Sequence, residues 1–321
     1  MLEKLKQLID ETVQGNEPMA NQVTFKIGGP AKYFFIARNS DQLLKACQAA
    51  DQLGIRFAVI GLGSNVIVAD QGFDGLVVKL TDGIIELKDE RAMSEAGADL
   101  QKLVTLTTRA GLSGLEKLAG IPSSVGGAVR GNAGAFGQEI KDVVDTVEIY
   151  RDGRVETLSN SDCHFTYRHS IFKDQPGVLL RVNLQLKRST PKEMTAAAAL
   201  TLENRKHLPT EPSAGCIFKN IELSRVEVDK ARVMRALDIT EEQYAQATKF
   251  GKLPVGFILD KLGYAGEKIG GIQVSPKHCA YMINTGDGKA EHVVIFASKI
   301  KMRVRNELGI QLQEEVQLLG F

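Results

Sequence analysis

The chain has 321 residues, 43% hydrophobic and 25% charged, with a formal net charge of +1. That length accommodates two or three domains with a sizeable core, and the near-neutral balance carries no electrostatic footprint for nucleic acid or an anionic membrane. No apolar run approaches the roughly 20 residues of a membrane helix. The cysteines, Cys47, Cys163, Cys216 and Cys279, include no C-x-x-C pair, so neither structural zinc nor a disulfide framework is indicated. His164 and His169, or His278 with Cys279, lack the accompanying carboxylates of a metal site, and no metal is expected.

Residues 1–15 show an amphipathic helix pattern with acids inside it, unlike a signal peptide, and a cytoplasmic location is expected. A polar entry, Asn21 to Gly29, leads to a strand at Tyr33–Ala37. Ser40 is expected to cap a helix over Asp41–Leu53, with Leu43, Leu44, Cys47 and Ala50 on one face. A buried strand, Phe57–Ile60, runs into Gly61-Leu62-Gly63-Ser64-Asn65. The Gly-x-Gly is not a dinucleotide fingerprint, because that needs a third glycine and then a helix. β-branched Val66-Ile67-Val68 follow instead and favour a strand. Gly61 and Gly63 can open successive N–H groups into an anion nest, with Ser64 and Asn65 as further donors; a tight β-turn has the same signature. Short strands are expected at Leu76–Leu80 and Ile84–Leu87. Asp99 is a good N-cap for a helix through Arg109.

The densest feature is GLSGLEKLAGIPSSVGGAVRGNAGAFG, Gly111 to Gly137, which holds eight glycines. Glycine costs backbone entropy, so such a cluster needs a reason. A backbone lying against a flat or anionic ligand is one, and Ser123, Ser124 and Asn132 add polar groups there. Leu115, Leu118, Ile121, Val125 and Val129 are too apolar for a solvated loop. The stretch reads as a wall for a bound nucleotide cofactor.

A hairpin follows, Val143–Arg151 and Arg154–Leu158, joined by Asp152-Gly153. Then come the polar and aromatic segment Cys163–Phe172, a strand at Val178–Leu186, and a helix from Pro191 to His207 with proline at its start. Residues 226–252 are helical by pattern and charge-rich, and read as a solvated insertion. Val255–Leu262 is a short helix, Ile272–Val274 a strand, and Ala290–Leu308 an amphipathic helix ended by Gly309. A last strand is expected over Ile310–Leu319, carrying Glu314 and Glu315.

Six segments, taken in order, carry a specific resemblance: GLGSNVIVADQG, GLEKLAGIPSSVGGAVRGNAGAFG, FTYRHSIF, PSAGCIFKN, GIQVSPKH and EEVQLLG. Together they make the chain similar, over nearly its whole length, to the UDP-N-acetylenolpyruvoylglucosamine reductase family, in its shorter form. The resemblance implies an α+β architecture. An FAD-binding fold of the vanillyl-alcohol-oxidase/PCMH type would have two α+β subdomains, residues 1–82 and 83–207. A C-terminal α+β substrate domain would span 208–321, with an insertion at about 222–254 acting as a lid or a partner surface. It implies non-covalent FAD, NADPH as co-substrate, and a UDP-sugar substrate whose enolpyruvyl group is reduced for peptidoglycan synthesis.

By motif match, Arg168, Cys216 and Glu315 would be catalytic. Gly61, Gly63, Ser64, Asn65, Gly120, Ser123, Ser124, Gly126, Gly127, Asn132, Ala133 and Gly134 would hold the cofactor. Tyr167, Lys219, Asn220, Gln273 and His278 would line the substrate pocket. Cys216 departs from the family, which carries a serine there as proton donor; a thiol is mostly protonated at neutral pH and far more acidic than an alcohol. Two other readings remain: another oxidoreductase of the same flavin fold, and a paralogue that binds a nucleotide sugar without turnover.

Overall fold

The computed structural model describes residues 1–321, and their buried side chains form two hydrophobic cores. One unit comprises residues 1–17, 31–62 and 73–206; the other comprises 18–30, 63–72 and 207–321. No helix is long and apolar enough to cross a membrane.

The first unit begins with α1 (Leu2–Leu8) and is built on two larger sheets, with two short two-stranded ribbons beside them. A four-stranded sheet has the order Gln14–Pro18, Pro30–Ala37, Phe73–Leu80, Phe57–Ile60, and Phe73–Leu80 runs parallel to both its neighbours. α2 (Ser40–Leu53) packs Leu43, Ala46, Cys47 and Ala50 into the core. Its cap is Asn39, which accepts from Gln42 N at 2.8 Å, one residue earlier than the sequence suggests. Ser40 is used otherwise: its N donates to Glu95 Oε1 at 3.0 Å and its Oγ to Leu180 O at 2.7 Å. Glu95 also accepts from Ile84 N at 3.0 Å. This buried carboxylate therefore joins the start of α2 to the second sheet, with its charge met by two backbone donors.

That second sheet is antiparallel, in the order Arg154–Ser159, Val144–Arg151, Val178–Gln185, Arg91–Glu95, Ile85–Lys88. Asp152 and Gly153 both have positive φ, 49° and 79°, as a two-residue hairpin of primed type requires. Arg91–Glu95 was not expected, since its residues are mostly polar or small. α3 (Leu100–Arg109) starts at Asp99, whose carboxylate accepts from Gln101 N and Lys102 N. α5 (Pro191–Glu203) is capped by Thr190.

Between them lies α4 (Val125–Gly131), formed by VGGAVRG. Glycine-rich helices are poor by propensity, so tertiary contacts hold this one. Ser124 caps it, Asn132 ends it in the left-handed region, and Gly126 N and Val125 N donate to Ala96 O and Ala98 O. A Cβ on Gly126 would stand 2.7 Å from Ala96 Cβ, and one on Gly134 would stand 2.6 Å from Gln138 O. Much of the glycine cluster therefore answers to packing within the protein as well as to any ligand.

The second unit has an antiparallel sheet in the order Ser213–Cys216, Tyr281–Asn284, Ile272–Val274, Lys268–Ile269. Four helices accompany it: α6 (Lys230–Leu237), α7 (Glu241–Thr248), α8 (Val255–Lys261) and α9 (Ala290–Leu308). The expectation of one solvated helix over 226–252 is corrected. Asp238 turns left-handed after α6, and Thr240 with Gln243 forms a capping box for α7. Val233, Leu237, Ile239 and Tyr244 join the core. Arg232 donates to Asn306 O and Glu307 O at the end of α9. Ile221–Glu222 pairs with Lys252–Leu253 at the base of the segment. The last strand is shorter than expected, Gln317–Leu319, and runs parallel to Val66–Val68.

Candidate active site

In the first unit the expected cofactor residues gather around α4. Gly61 lies so close to Ser124 that a Cβ would stand 2.2 Å from its Oγ. Ser124 Oγ accepts from Gly127 N at 3.2 Å, and Ser123 Oγ donates to Ser124 O at 2.9 Å. A Cβ on Gly127 would stand 3.0 and 3.2 Å from these two hydroxyl oxygens. Glycine there leaves an open, hydroxyl-lined cradle, and the Ser124 hydroxyl, which accepts from Gly127 N, still has its own proton to donate to a diphosphate oxygen. Near Gly131 nothing lies within 4 Å of a Cβ position, so a planar group can approach that backbone. These residues fit FAD.

Asn132 serves differently from expectation. It is fully buried, its amide donates to Glu139 Oε2 and Thr166 O, and its Oδ1 accepts from Lys141 N. Its side chain braces the stretch that holds Ala133 and Gly134, leaving the backbone to face a ligand.

Tyr167 and Arg168 form a tight turn in which Thr166 and His169 exchange both backbone hydrogen bonds, at 3.0 and 3.1 Å. Arg168 has φ 53°, a left-handed conformation that costs a non-glycine residue about 1–2 kcal/mol. Such strain points to a functional constraint. Its Nη2 donates to Gly134 O at 2.6 Å, and its guanidinium lies 5.1 Å from the Tyr167 ring centroid. The turn thereby aims a planar cation along the glycine-rich backbone.

In the second unit, three segments far apart in sequence are laced together. Strand Ser213–Cys216 pairs Cys216 with Tyr281, and Gly215 within it has φ 78°. Beyond it Glu315 N donates to Ile217 O at 2.8 Å and Lys219 N to Gln313 O at 2.9 Å. Asn65 Nδ2 donates to Glu315 O at 3.3 Å, and Gln317 N donates to Asn65 O at 2.9 Å. Glu315 is half-buried, whereas Glu314 is exposed and pairs with Lys301 at 2.7 Å. Both glutamates lie on the segment joined to Ile217 and Phe218; Glu315 is the half-buried one of the two and Glu314 the exposed one. Cys216 is also the one cysteine that is not buried.

Gly63 is required by its φ of 69° and by Gln22 O and Val23 Cα, each 2.9 Å from where a Cβ would sit. Between a nest and a tight turn, packing thus already accounts for this glycine. Thr24 Oγ1, which sequence patterns did not single out, donates to Ser213 O at 2.7 Å and links this turn to the Cys216 strand. Gln273 Nε2 donates to Gly266 O, and Asn220 Oδ1 accepts from Val255 N at the start of α8, so both amides are partly committed to the scaffold. His278 has its Nδ1 accepting from Ala280 N, which leaves Nε2 to carry the proton of the neutral ring. Burial holds its pKa below the usual imidazole value, with neighbouring His207 adding to the effect. The His207 ring stacks on it at 6.2 Å, and the Tyr281 ring meets it edge-on at 5.2 Å. No sequence pattern pairs His207 with His278.

Known proteins resemble this chain along nearly its whole length. Residues 31–159 match the model of an FAD binding domain, and residues 207–319 match that of the UDP-N-acetylenolpyruvoylglucosamine reductase C-terminal domain. The chain is 36% identical to the UDP-N-acetylenolpyruvoylglucosamine reductase of Solibacter usitatus, over 96% of this chain and 97% of the relative. It is 32% identical to that of Bacillus subtilis, over 100% of this chain and 98% of the relative. The crystal structure of the enzyme from Thermus caldophilus superposes with a TM-score of 0.73 at 28% identity, covering 96% of this chain and 98% of that one. The chain belongs to the UDP-N-acetylenolpyruvoylglucosamine reductase family, an FAD-binding half followed by the family's C-terminal domain.

Proposed function

We propose that this protein reduces UDP-N-acetylglucosamine enolpyruvate to UDP-N-acetylmuramate in the cytoplasm, for peptidoglycan synthesis, with NADPH as electron source. The observation that carries the mechanism is the backbone lacing of the half-buried Cys216 segment to half-buried Glu315, while Glu314 faces outward. The Gly61, Gly120, Ser123–Gly127 and Ala133–Gly134 backbone, with Gly63, Ser64 and Asn65, would hold FAD, which once reduced by NADPH would supply the hydride chemistry for the methylene carbon of the enol ether. Its attachment is read as non-covalent, as the family resemblance implies; Cys47 and Cys163, the cysteines of that half, are both buried in its core. The half itself is read as two subdomains, 1–82 and 83–207, because it is built on two larger sheets, and 208–321 as the substrate domain.

The remaining chemistry falls to this chain's own residues. Negative charge develops on the carbon bearing the carboxylate. Arg168 meets that carboxylate with parallel N–H donors, an interaction that strengthens as charge builds. The Cys216 thiol gives its proton to the carbon, and Glu315 orients the donor and restores its proton. Tyr167, Lys219 and His278 bind the sugar nucleotide, with Asn220 and Gln273 shaping the backbone around it.

An anaerobic visible spectrum tests this. NADPH should bleach the flavin bands, and the enolpyruvyl sugar should restore them. Cys216→Ala should bleach normally and recover at least a hundredfold more slowly. Bleaching without recovery in the unaltered protein would transfer the assignment to another substrate of the same flavin fold. A colourless protein that cannot be reconstituted with FAD would refute the reading.

A further inference from the structure

The turn that leads into the Ser123–Ser124 cradle contains almost no regular structure of its own, yet it is held at several points by one side chain. Gln101, on the first turn of α3, accepts from Gly120 N at 2.6 Å through Oε1. Its Nε2 donates to Ile121 O at 2.7 Å and to Leu118 O at 3.3 Å. One amide thus meets a donor and two acceptors, which also fixes its orientation. The helix is itself anchored beside the turn: Asp99 caps it, and Leu100 N donates to Ser123 O at 2.9 Å. On the other side a Cβ at Gly120 would stand 3.0 Å from Leu202 Cδ2 and 3.1 Å from Arg205 Cδ. Gly120 has φ 79°, so the turn cannot relax by taking a side chain there without strain.

We infer that Gln101 is a positioning residue for the cofactor: it sets the Gly120–Ser124 backbone in its FAD-binding form without touching FAD. The inference rests on the reading that this turn holds FAD. A turn with few internal hydrogen bonds samples other conformations when its clamp is removed, and binding then bears the cost of ordering it. Each lost neutral hydrogen bond is a modest net term, and three acting together give a tenfold or larger effect on affinity.

The experiment is FAD titration of the full-length apoprotein, followed by flavin fluorescence, together with melting of apo and FAD-loaded forms. Gln101→Met keeps length and removes all three hydrogen bonds. The expected result is an FAD Kd raised by roughly ten- to a hundredfold, with the FAD-induced rise in Tm reduced. Gln101→Glu supplies a second readout. Its carboxylate cannot donate to Ile121 O or Leu118 O, but its protonated form can. Its deficit relative to the parent should shrink as pH falls toward the carboxyl range, near about 4.3 and higher if buried, while that of Gln101→Met should not.

An unchanged Kd in Gln101→Met, or apo and loaded forms losing equal stability, would overturn the proposal, because a merely structural bond weakens both forms alike. Gly127→Ala separates this from failure of the underlying reading. If Gly127→Ala weakens FAD binding and Gln101→Met does not, only the role of Gln101 is refuted. If neither variant affects binding, the assignment of FAD to this turn falls, and the proposal with it.

Discussion

Three glycines on one short helix provide a direct test of why the glycine-rich stretch exists. The perturbation is the same in each case, glycine to alanine within α4. In a helix interior that exchange stabilises by about 1 kcal/mol when nothing opposes it. At Gly131 nothing lies within 4 Å of the added Cβ, so the apoprotein should gain up to that amount. At Gly126 the Cβ would stand 2.7 Å from Ala96 Cβ and 3.0 Å from Ala96 O. Neither neighbour is the end of a flexible chain, so backbone must move, at about 1–3 kcal/mol for such overpacking. The propensity term is common to both variants, and the difference between them isolates the packing term. At about 2–4 °C per kcal/mol for a domain of this class, Gly126→Ala should melt roughly 2–12 °C below Gly131→Ala in calorimetry of the apoprotein. At Gly127 the Cβ faces the Ser123 and Ser124 hydroxyls at 3.0 and 3.2 Å, so stability should change little while FAD affinity falls. Indistinguishable melting of the first two variants would refute the packing argument, and full FAD affinity in Gly127→Ala would refute the cradle.

Glu315→Gln should lower turnover of the sugar by on the order of 10²–10⁴-fold with normal flavin reduction, while Glu314→Gln should stay within about twofold of the parent, since its carboxylate is exposed and paired with Lys301; steady-state kinetics decides between them. Thiol titration of the folded protein should find one fast-reacting group, removed by Cys216→Ser. Burial pushes the thiols of Cys47 up to about 12 and of Cys163 and Cys279 up to about 11, so these should react only on unfolding. The depressed pKa of His278 means that the unfolded chain takes up a proton there before the folded one does. The stability it contributes is therefore present above the unfolded imidazole value of 6.5 and is lost as pH falls from that value through the folded one. Denaturant melts of His278→Asn against pH should show a shallower acid loss than the parent.

What the sequence determined by itself was carried by local chemistry. Asp99 as a cap, Asp152-Gly153 as a primed turn, and the apolar face of Ala290–Leu308 depend on residues within one turn or one helical repeat of each other, and all stand in the structure. The motifs that carry the family resemblance are equally local strings. What needed the tertiary structure was every decision made by a distant partner. VGGAVRG is a helix because Ala96 and Ala98 receive its first N–H groups. The 226–252 segment buries one face in the core while the other stays solvated, because α9 offers its end to Arg232 and its hydrophobic neighbours to Val233 and Leu237. Adjacent Glu314 and Glu315 are identical in composition and reach, and only their pairing with Phe218 and Ile217 sets one exposed and the other half-buried. The periodicity of a chain states which residues want burial; it does not state against what, and at these positions the answer came from backbone groups remote in sequence.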